Sequence, residues 1–206
     1  MFHFEEGEVF LIDKPLDWTS FDAVNLIRSV IKRYHGIRKL KVGHAGTLDP
    51  LATGLLIICT GRMTKKIDTF QAQEKVYTGT MLLGQTTPTF DMESEADASY
   101  PTDDITIEMM EEARKTFIGD IMQRPPKFSA IKINGKRAFD YARSDEEIAL
   151  EERLVQIEDF KLDYTNFPKV DFEVKCSKGT YIRSLVNDFG KKLNNGACLI
   201  SLRRTM

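Results

Sequence analysis

Asp49 stands inside the run Gly43-His44-Ala45-Gly46-Thr47-Leu48-Asp49-Pro50-Leu51-Ala52-Thr53-Gly54, where a carboxylate could serve as a nucleophile or a general base. Gly43, Gly46 and Gly54 permit positive φ and close approach of another molecule. Pro50 pushes Asp49 out of the helical region and towards an extended conformation, so the carboxylate is expected on a constrained turn. Spacing alone favours an ordinary connection, because a Gly-x-x-Gly loop with Asp before Pro is common turn chemistry. The phosphate-cradling Gly-x-x-x-x-Gly-Lys-[Ser/Thr] pattern is absent, and so is a Gly-x-Gly-x-x-Gly unit after a strand. Cys59, Cys176 and Cys198 lack Cys-x-x-Cys spacing, and His3, His35 and His44 are scattered. That pattern points to reduced thiols in a cytoplasm and away from a disulfide framework or a metal centre.

Those side chains need elements to hold them. Residues 9–12 read as a strand, and Thr19 or Ser20 caps an amphipathic helix with Phe21, Val24, Ile27, Val30 and Ile31 inward. Residues 55–59 and 76–83 read as strands, the second stopped by Gly84. Residues 106–117 read as a helix ended by Gly119, and Asn134-Gly135 is a strong hairpin signal. Strands over 154–162 and 170–177, a helix with Ile182, Leu185, Val186, Phe189 and Leu193 on one face, and a strand over 199–203 complete the chain. The acidic stretch 91–104 reads as a surface loop.

With 206 residues, 42% of them hydrophobic and 29% charged, one globular domain is expected. No apolar run reaches the length of a membrane span, and the acidic start Met1-Phe2-His3-Phe4-Glu5-Glu6 is unlike a signal peptide. Net charge is −2, from 29 Lys and Arg against 31 Asp and Glu, which a general RNA binder does not show. The distribution is uneven. Residues 28–75 hold ten Lys or Arg against Asp49, Asp68 and Glu74, and residues 173–206 hold seven against Glu173 and Asp188. Residues 91–112 hold nine carboxylates and no cation. A locally positive cleft on an acidic body would draw its affinity from phosphate contacts, although many single lysines read equally well as a solvated face.

The motif series as a whole resembles the TruB-type tRNA pseudouridine synthases. Leu11-Ile12-Asp13-Lys14-Pro15 with Trp18-Thr19-Ser20 is similar to the family's first motif, and the run from Gly43 to Gly54 to its second. Lys75-Val76-Tyr77, Pro125-Pro126-Lys127-Phe128-Ser129-Ala130, Gly135-Lys136-Arg137-Ala138 and Tyr141-Ala142-Arg143 follow in order. Ser177-Lys178-Gly179-Thr180-Tyr181-Ile182-Arg183-Ser184-Leu185 and Leu202-Arg203-Arg204 close the series.

The resemblance implies an α+β fold, a mixed and largely antiparallel sheet with flanking helices and the active site in a central cleft. It implies isomerisation of uridine to pseudouridine in the T-loop of tRNA, by base flipping, without metal or other cofactor. The expected setting is a cytoplasmic monomer with no protein partner. Asp49 is then the catalytic carboxylate, with attack on base or sugar, or deprotonation of the ribose, left open. Arg183 would keep it ionised. Tyr77 and Tyr181 would stack on the flipped base, Leu202 would line the pocket, and His44 would contact RNA without moving a proton. Lys14 and Pro15 would support the loop. One catalytic domain over 1–206 is expected, with residues 119–152 as an inserted segment that grips the T-arm and without the C-terminal PUA-like RNA-binding domain of many relatives. Two other readings stand beside this one: an RNA-binding module or tRNA folding chaperone without catalysis, and a phosphate-binding metabolic enzyme using the glycine-rich loop.

Overall fold

Thr19 opens the longest helix with a reciprocal cap. Its hydroxyl accepts from the Asp22 N–H at 3.1 Å, while the Asp22 carboxylate accepts from the Thr19 N–H at 2.9 Å, so two otherwise orphaned donors are satisfied together. The computed structural model describes residues 2–129, 131–133, 135–138, 141, 144 and 150–206. Within them the chain divides into two compact units, Met1–Thr78 with Ser201–Met206, and Gly79–Ile200. The fold is α+β, as the motif series implied.

The first unit contains β1 (Val9–Lys14), α1 (Ser20–His35), β2 (Val42–Ala45), β3 (Ala52–Thr60), a 3₁₀ turn over Gly61–Lys66 and α2 (Ile67–Gln71). Between them the two units share β4 (Lys75–Leu83) and β12 (Ala197–Arg204), and the second contains β5 (Gln85–Thr86), β6 (Ala98–Ser99), α3 (Ile107–Lys115), β7 (Gly119–Gln123), β8 (Lys132–Ile133), β9 (Lys136–Arg137), β10 (Arg153–Asp163), β11 (Lys169–Cys176) and α4 (Ile182–Lys192).

In the first unit β3 is the organising strand. It pairs antiparallel with β1 from Val9↔Cys59 to Lys14↔Gly54, and antiparallel with β2 from Val42↔Thr60 to Ala45↔Ile57. Its first residues pair parallel with the end of β12, Leu202↔Ala52 through Arg204↔Gly54. Leu56, Ile58 and Cys59 of β3 are fully buried, which matches a strand with partners on both edges. Phe4, Ile31 and Leu40 form a second buried cluster against which Phe10, Ile27, Ile37 and Val42 pack.

α1 buries Ser20, Ala23, Val24 and Ile31. Phe21 and Val30, both expected inward, are 59% and 42% exposed. At roughly 100° per residue, Ser20, Val24, Ile27 and Ile31 lie near one line, and Phe21 and Val30 fall about 80–100° to its two sides. The helix buries one narrow stripe, and its other apolar residues face out. Gly36, at φ 70, ends it by donating to the Lys32 carbonyl at 3.1 Å.

In the second unit β4, β11, β10 and β7 lie in that order. β10 pairs antiparallel with β11 and with β7. Phe189 of α4 meets Phe160 of β10 edge to face, ring centroids 6.0 Å apart, and both are fully buried with Ile157, Val170 and Val174. Thr106 caps α3 through the Met109 N–H. The hairpin at Asn134-Gly135 is present as the β8–β9 pairing Ile133↔Lys136; Asn134 itself, and Ala130, Ala142 and Arg143 of the motif series, lie outside the described residues, as does part of the 119–152 segment. All three cysteines are buried and none forms a disulfide. Among the described residues no helix is long and apolar enough to cross a membrane.

Gly54 is held at φ 98, and a Cβ there would lie 2.2 Å from the Arg204 carbonyl oxygen, a backbone atom of the parallel partner strand. Gly54→Ala is therefore expected to cost about 2–3 kcal/mol through both overlap and backbone strain. Urea unfolding of the variant checks it, and a loss under about 0.5 kcal/mol, the ordinary surface range, would contradict the assigned contact.

Candidate active site

The segment expected as one glycine-rich loop is shorter than its sequence implies. Gly43, His44 and Ala45 belong to β2 and Ala52, Thr53 and Gly54 to β3, so the free connection is residues 46–51. Small residues satisfied strand pairing because β3 supplies the ladder partners, which no local signal encodes. Ala45, Leu48 and Ala52 are buried and anchor the connection. The Ala52 N–H donates to the Asp49 carbonyl at 3.0 Å, closing a tight turn with Pro50 in its second position, where the fixed proline φ is already correct. Asp49 is half-buried at the head of that turn.

Three side chains clamp the connection. Ser20 Oγ accepts from the Leu48 N–H at 2.8 Å and donates to the Leu48 carbonyl at 3.1 Å, tying the loop to the start of α1. Lys14 is fully buried, and its ammonium donates to the carbonyls of Trp18 at 2.6 Å, Pro15 at 2.9 Å and Pro50 at 3.3 Å. Burial holds the Lys14 amine below the ordinary lysine value, against the opposing pull of Asp49, then Asp17 and Asp22. From the far end of the chain, Arg204 is buried and donates from Nε to the Leu55 carbonyl at 2.7 Å and from Nη2 to the Gly46 carbonyl at 3.2 Å. Lys14→Met would leave three carbonyls without that cation, at an expected cost of roughly 2–4 kcal/mol. A chemical-denaturation series measures it, and unchanged stability would show the ammonium to be dispensable.

His44 lies opposite Ile58 in the β2–β3 ladder and is half-buried. Burial lowers its pKa below the ordinary histidine value, the Gly46 carbonyl works against this, and the Arg204 charge reinforces it. The imidazole is therefore neutral at physiological pH. The unfolded chain binds this proton more readily than the folded one, so stability should fall as pH drops from about 7 through the ordinary histidine value near 6.5. His44→Gln should flatten that part of a stability-versus-pH curve, and an equal slope in the variant would refute the assignment.

Tyr77 is buried, at 8% exposure, in the part of β4 stitched to the last residues: the Val76 N–H donates to the Met206 carbonyl at 3.1 Å and the Thr205 N–H to the Val76 carbonyl at 2.9 Å. Leu202 is half-buried, and its carbonyl accepts from Thr53 Oγ1 at 3.4 Å. Asp49, His44, Tyr77 and Leu202 thus all belong to the first unit.

Arg183 and Tyr181 belong to the second. Arg183 in isolation reads as a surface arginine; in the structure it is 4% exposed. Its guanidinium lies 3.5 Å from Asp91 Oδ2 and donates to the carbonyls of Thr89 at 3.2 Å and Phe128 at 3.0 Å. Tyr181 immediately precedes α4 at its N-cap, and the Gln123 side chain grips its backbone twice, accepting from the N–H at 2.8 Å and donating to the carbonyl at 3.1 Å. Ser184 Oγ adds a bond to the Arg124 carbonyl at 2.8 Å. The helix that carries Arg183 is thereby fixed to β7 and the residue after it.

Residues 32–182 match the TruB family pseudouridylate synthase (N terminal domain). The chain belongs to the TruB family of pseudouridine synthases. It is 55% identical over 203 residues to a tRNA pseudouridine synthase B of Phocaeicola vulgatus, covering 98% of this chain and 86% of that protein. It is 53% identical over 201 residues to the same enzyme of Flavobacterium johnsoniae, covering 97% and 88%. Among solved structures, a Cbf5-Nop10-Gar1 complex contains a chain with a TM-score of 0.72 at 28% identity, covering 99% of this chain and 49% of that one. The chain therefore spans about half the length of that solved relative. As a member of this family the protein is an isomerase, and its residues can be read for that chemistry.

Two buried polar residues are more firmly embedded than their sequence context conveys. Asp91 was counted within an acidic surface loop, yet it is 3% exposed. Thr87 and Thr89 hydroxyls both donate to its carbonyl, at 2.7 and 3.2 Å, and its Oδ1 accepts from the Glu93 N–H at 3.0 Å. Phe90, at φ 64, accepts at its carbonyl from the Leu199 N–H at 2.9 Å. The stretch is a compact polar knot whose product is one carboxylate aimed at Arg183; the Thr-x-Thr-x-Asp spacing is the signal that could have found it. Lys14 is the second such residue, in full burial, where the motif alone implied only a supporting role.

Proposed function

We propose that this protein converts the T-loop uridine of tRNA that becomes the Ψ of the TΨC arm, with Asp49 as the reacting carboxylate. The observation that carries the reading is the Asp49 turn, held by Lys14, Ser20 and Arg204, in a chain about half identical to enzymes called tRNA pseudouridine synthase B. The glycosidic bond from N1 breaks, the uracil turns, and a bond from C5 to the same ribose carbon forms while the C5 hydrogen leaves as a proton. N1 takes up a proton from solvent as the C5 proton is lost, so no co-reactant other than water enters. The base must leave its stack to reach a fixed carboxylate. Arg183 holds Asp49 ionised, Tyr77 and Tyr181 provide aromatic faces for the flipped base, Leu202 lines its pocket and neutral His44 contacts the RNA. Working as a monomer in the cytoplasm, the protein takes the T-arm as its partner, with residues 119–152 gripping it.

The test uses tRNA transcripts tritiated at uracil C5. Release of tritium from the unmodified transcript, and none when the T-loop uridine is replaced by cytidine, is the expected result. Release that ignores that replacement would overturn the substrate assignment. Tight binding without release would leave an RNA-binding module in place of an enzyme.

A further inference from the structure

The end of α1 and the segment after it carry Lys32, Arg33, Arg38, Lys39 and Lys41, with no carboxylate between residues 32 and 41. All five side chains are exposed, and among the described residues none of them makes an ion pair. Lys32 and Arg33 suit the negative end of the α1 dipole, but Gly36 ends the helix, so that argument does not reach Arg38, Lys39 or Lys41. Five like charges kept together on a chain of net charge −2 repel one another until an anion joins them.

The surface has form as well as charge. Ser29, Lys32, Arg33, Gly36 and Arg38 line a hollow of about 480 Å³. A Cβ at Gly36 would meet nothing within 4 Å, so the centre of the hollow is open. Tyr34 is 71% exposed, with the Arg33 guanidinium 5.7 Å from its ring centroid, a flat cationic and aromatic pair suited to sugar and base faces. The segment is held rigid on both sides by Ile31 and Leu40, buried in one cluster, and by the Gly61 N–H donating to the Lys41 carbonyl at 2.9 Å. From Lys41 the chain enters β2, and three residues of strand, about 10 Å, lead to His44.

We propose that residues 32–41 form a phosphate-binding surface for the sugar–phosphate backbone of the substrate RNA, outside the reaction centre. The proposal rests on RNA being the substrate. Its cations neutralise successive phosphates, fix the register of the RNA and carry no base information.

The full chain with Lys32→Gln, Arg33→Gln, Arg38→Gln and Lys39→Gln is compared with wild type for binding to unmodified tRNA transcript across a salt series. Each lost phosphate contact removes roughly 0.7–0.9 from the slope of log affinity against log salt, so the slope should shrink by about 2–4. KM should rise at least about tenfold while kcat at saturating tRNA stays within about twofold, as expected for lost electrostatic positioning. A control carrying Lys115→Gln and Lys161→Gln, exposed lysines already paired with carboxylates, should keep the wild-type slope. Unchanged slope and KM in a variant that melts like wild type would overturn the proposal. If the fourfold variant does not fold, Arg38→Gln with Lys39→Gln decides, with about half the slope change expected. A wild type that binds tRNA but releases no tritium, with the slope still falling in the variant, would sink the reaction and keep the surface. Binding to phosphatidylserine–phosphatidylcholine vesicles that disappears in the variant, while the tRNA slope does not change, would give the surface to membranes and refute the RNA assignment.

Discussion

Replacing Asp49 with Asn is expected to eliminate tritium release, by on the order of 10⁴-fold or more in single-turnover rate, the range lost with a reacting carboxylate. The amide keeps the shape of the side chain, and the turn hydrogen bond comes from the Asp49 backbone carbonyl, so the loop geometry survives. Lys14 loses one of the charges that favour its protonated form, and the variant should melt no more than a few degrees below wild type. tRNA affinity should stay close to wild type, because phosphate contacts dominate it. Turnover within about tenfold of wild type would remove Asp49 from the chemistry. Loss of tRNA binding in step with turnover would make it a binding residue.

The largest expected effect on stability comes from Asp91→Ala. Arg183 and Asp91 side chains are 4% and 5% exposed, and deleting one partner of so buried a pair removes its charge from the guanidinium and leaves a polar cavity, costing about 3–5 kcal/mol. For a chain of this length that corresponds to a fall of about 6–20 °C in melting temperature. Asp91→Asn should be milder, since an amide oxygen can still accept from the Glu93 N–H that Asp91 Oδ1 now binds. A loss under about 1 kcal/mol in Asp91→Ala would mean that the Thr89 and Phe128 carbonyls satisfy Arg183 without the carboxylate.

Local signals proved sufficient where neighbours in sequence make the structure. Thr19 and Asp22 share one cap, Gly36 ends the same helix, and Asn134-Gly135 sits between strands that pair. They were insufficient where distant residues decide. Gly43 and His44 read as loop because glycine and a polar ring do not favour strands, yet β3 recruits them. Phe21 and Val30 count as apolar in any periodicity, but the core touches only a narrow stripe of α1. Asp91 is one of nine carboxylates in its stretch, and charge counting cannot see burial. Lys14 and Arg183 were both placed by motif, and neither showed that it would be buried, since lysine and arginine almost never are unless paired. The motif series thus named Asp49 and the Lys14 support, while the burial of Lys14 and Arg204 and the strand pairing of Gly43 and His44 come from tertiary contact that no local signal carries.

The reactive turn has an unusual place in time. Arg204 reaches back to Leu55 across 149 residues and to Gly46 across 158, and the whole of residues 79–200 forms a separate unit between the two halves of the first. At about 5–20 residues per second of synthesis, Gly46 and Asp49 leave the ribosome roughly 8–30 s before the arginine that braces them. The intervening unit has time to fold by itself, while the earlier segment waits without its parallel strand. A nascent chain that has not yet reached Arg204 would hold all of residues 79–200 and an unbraced carboxylate, so isomerase activity should appear only after synthesis has passed Arg204.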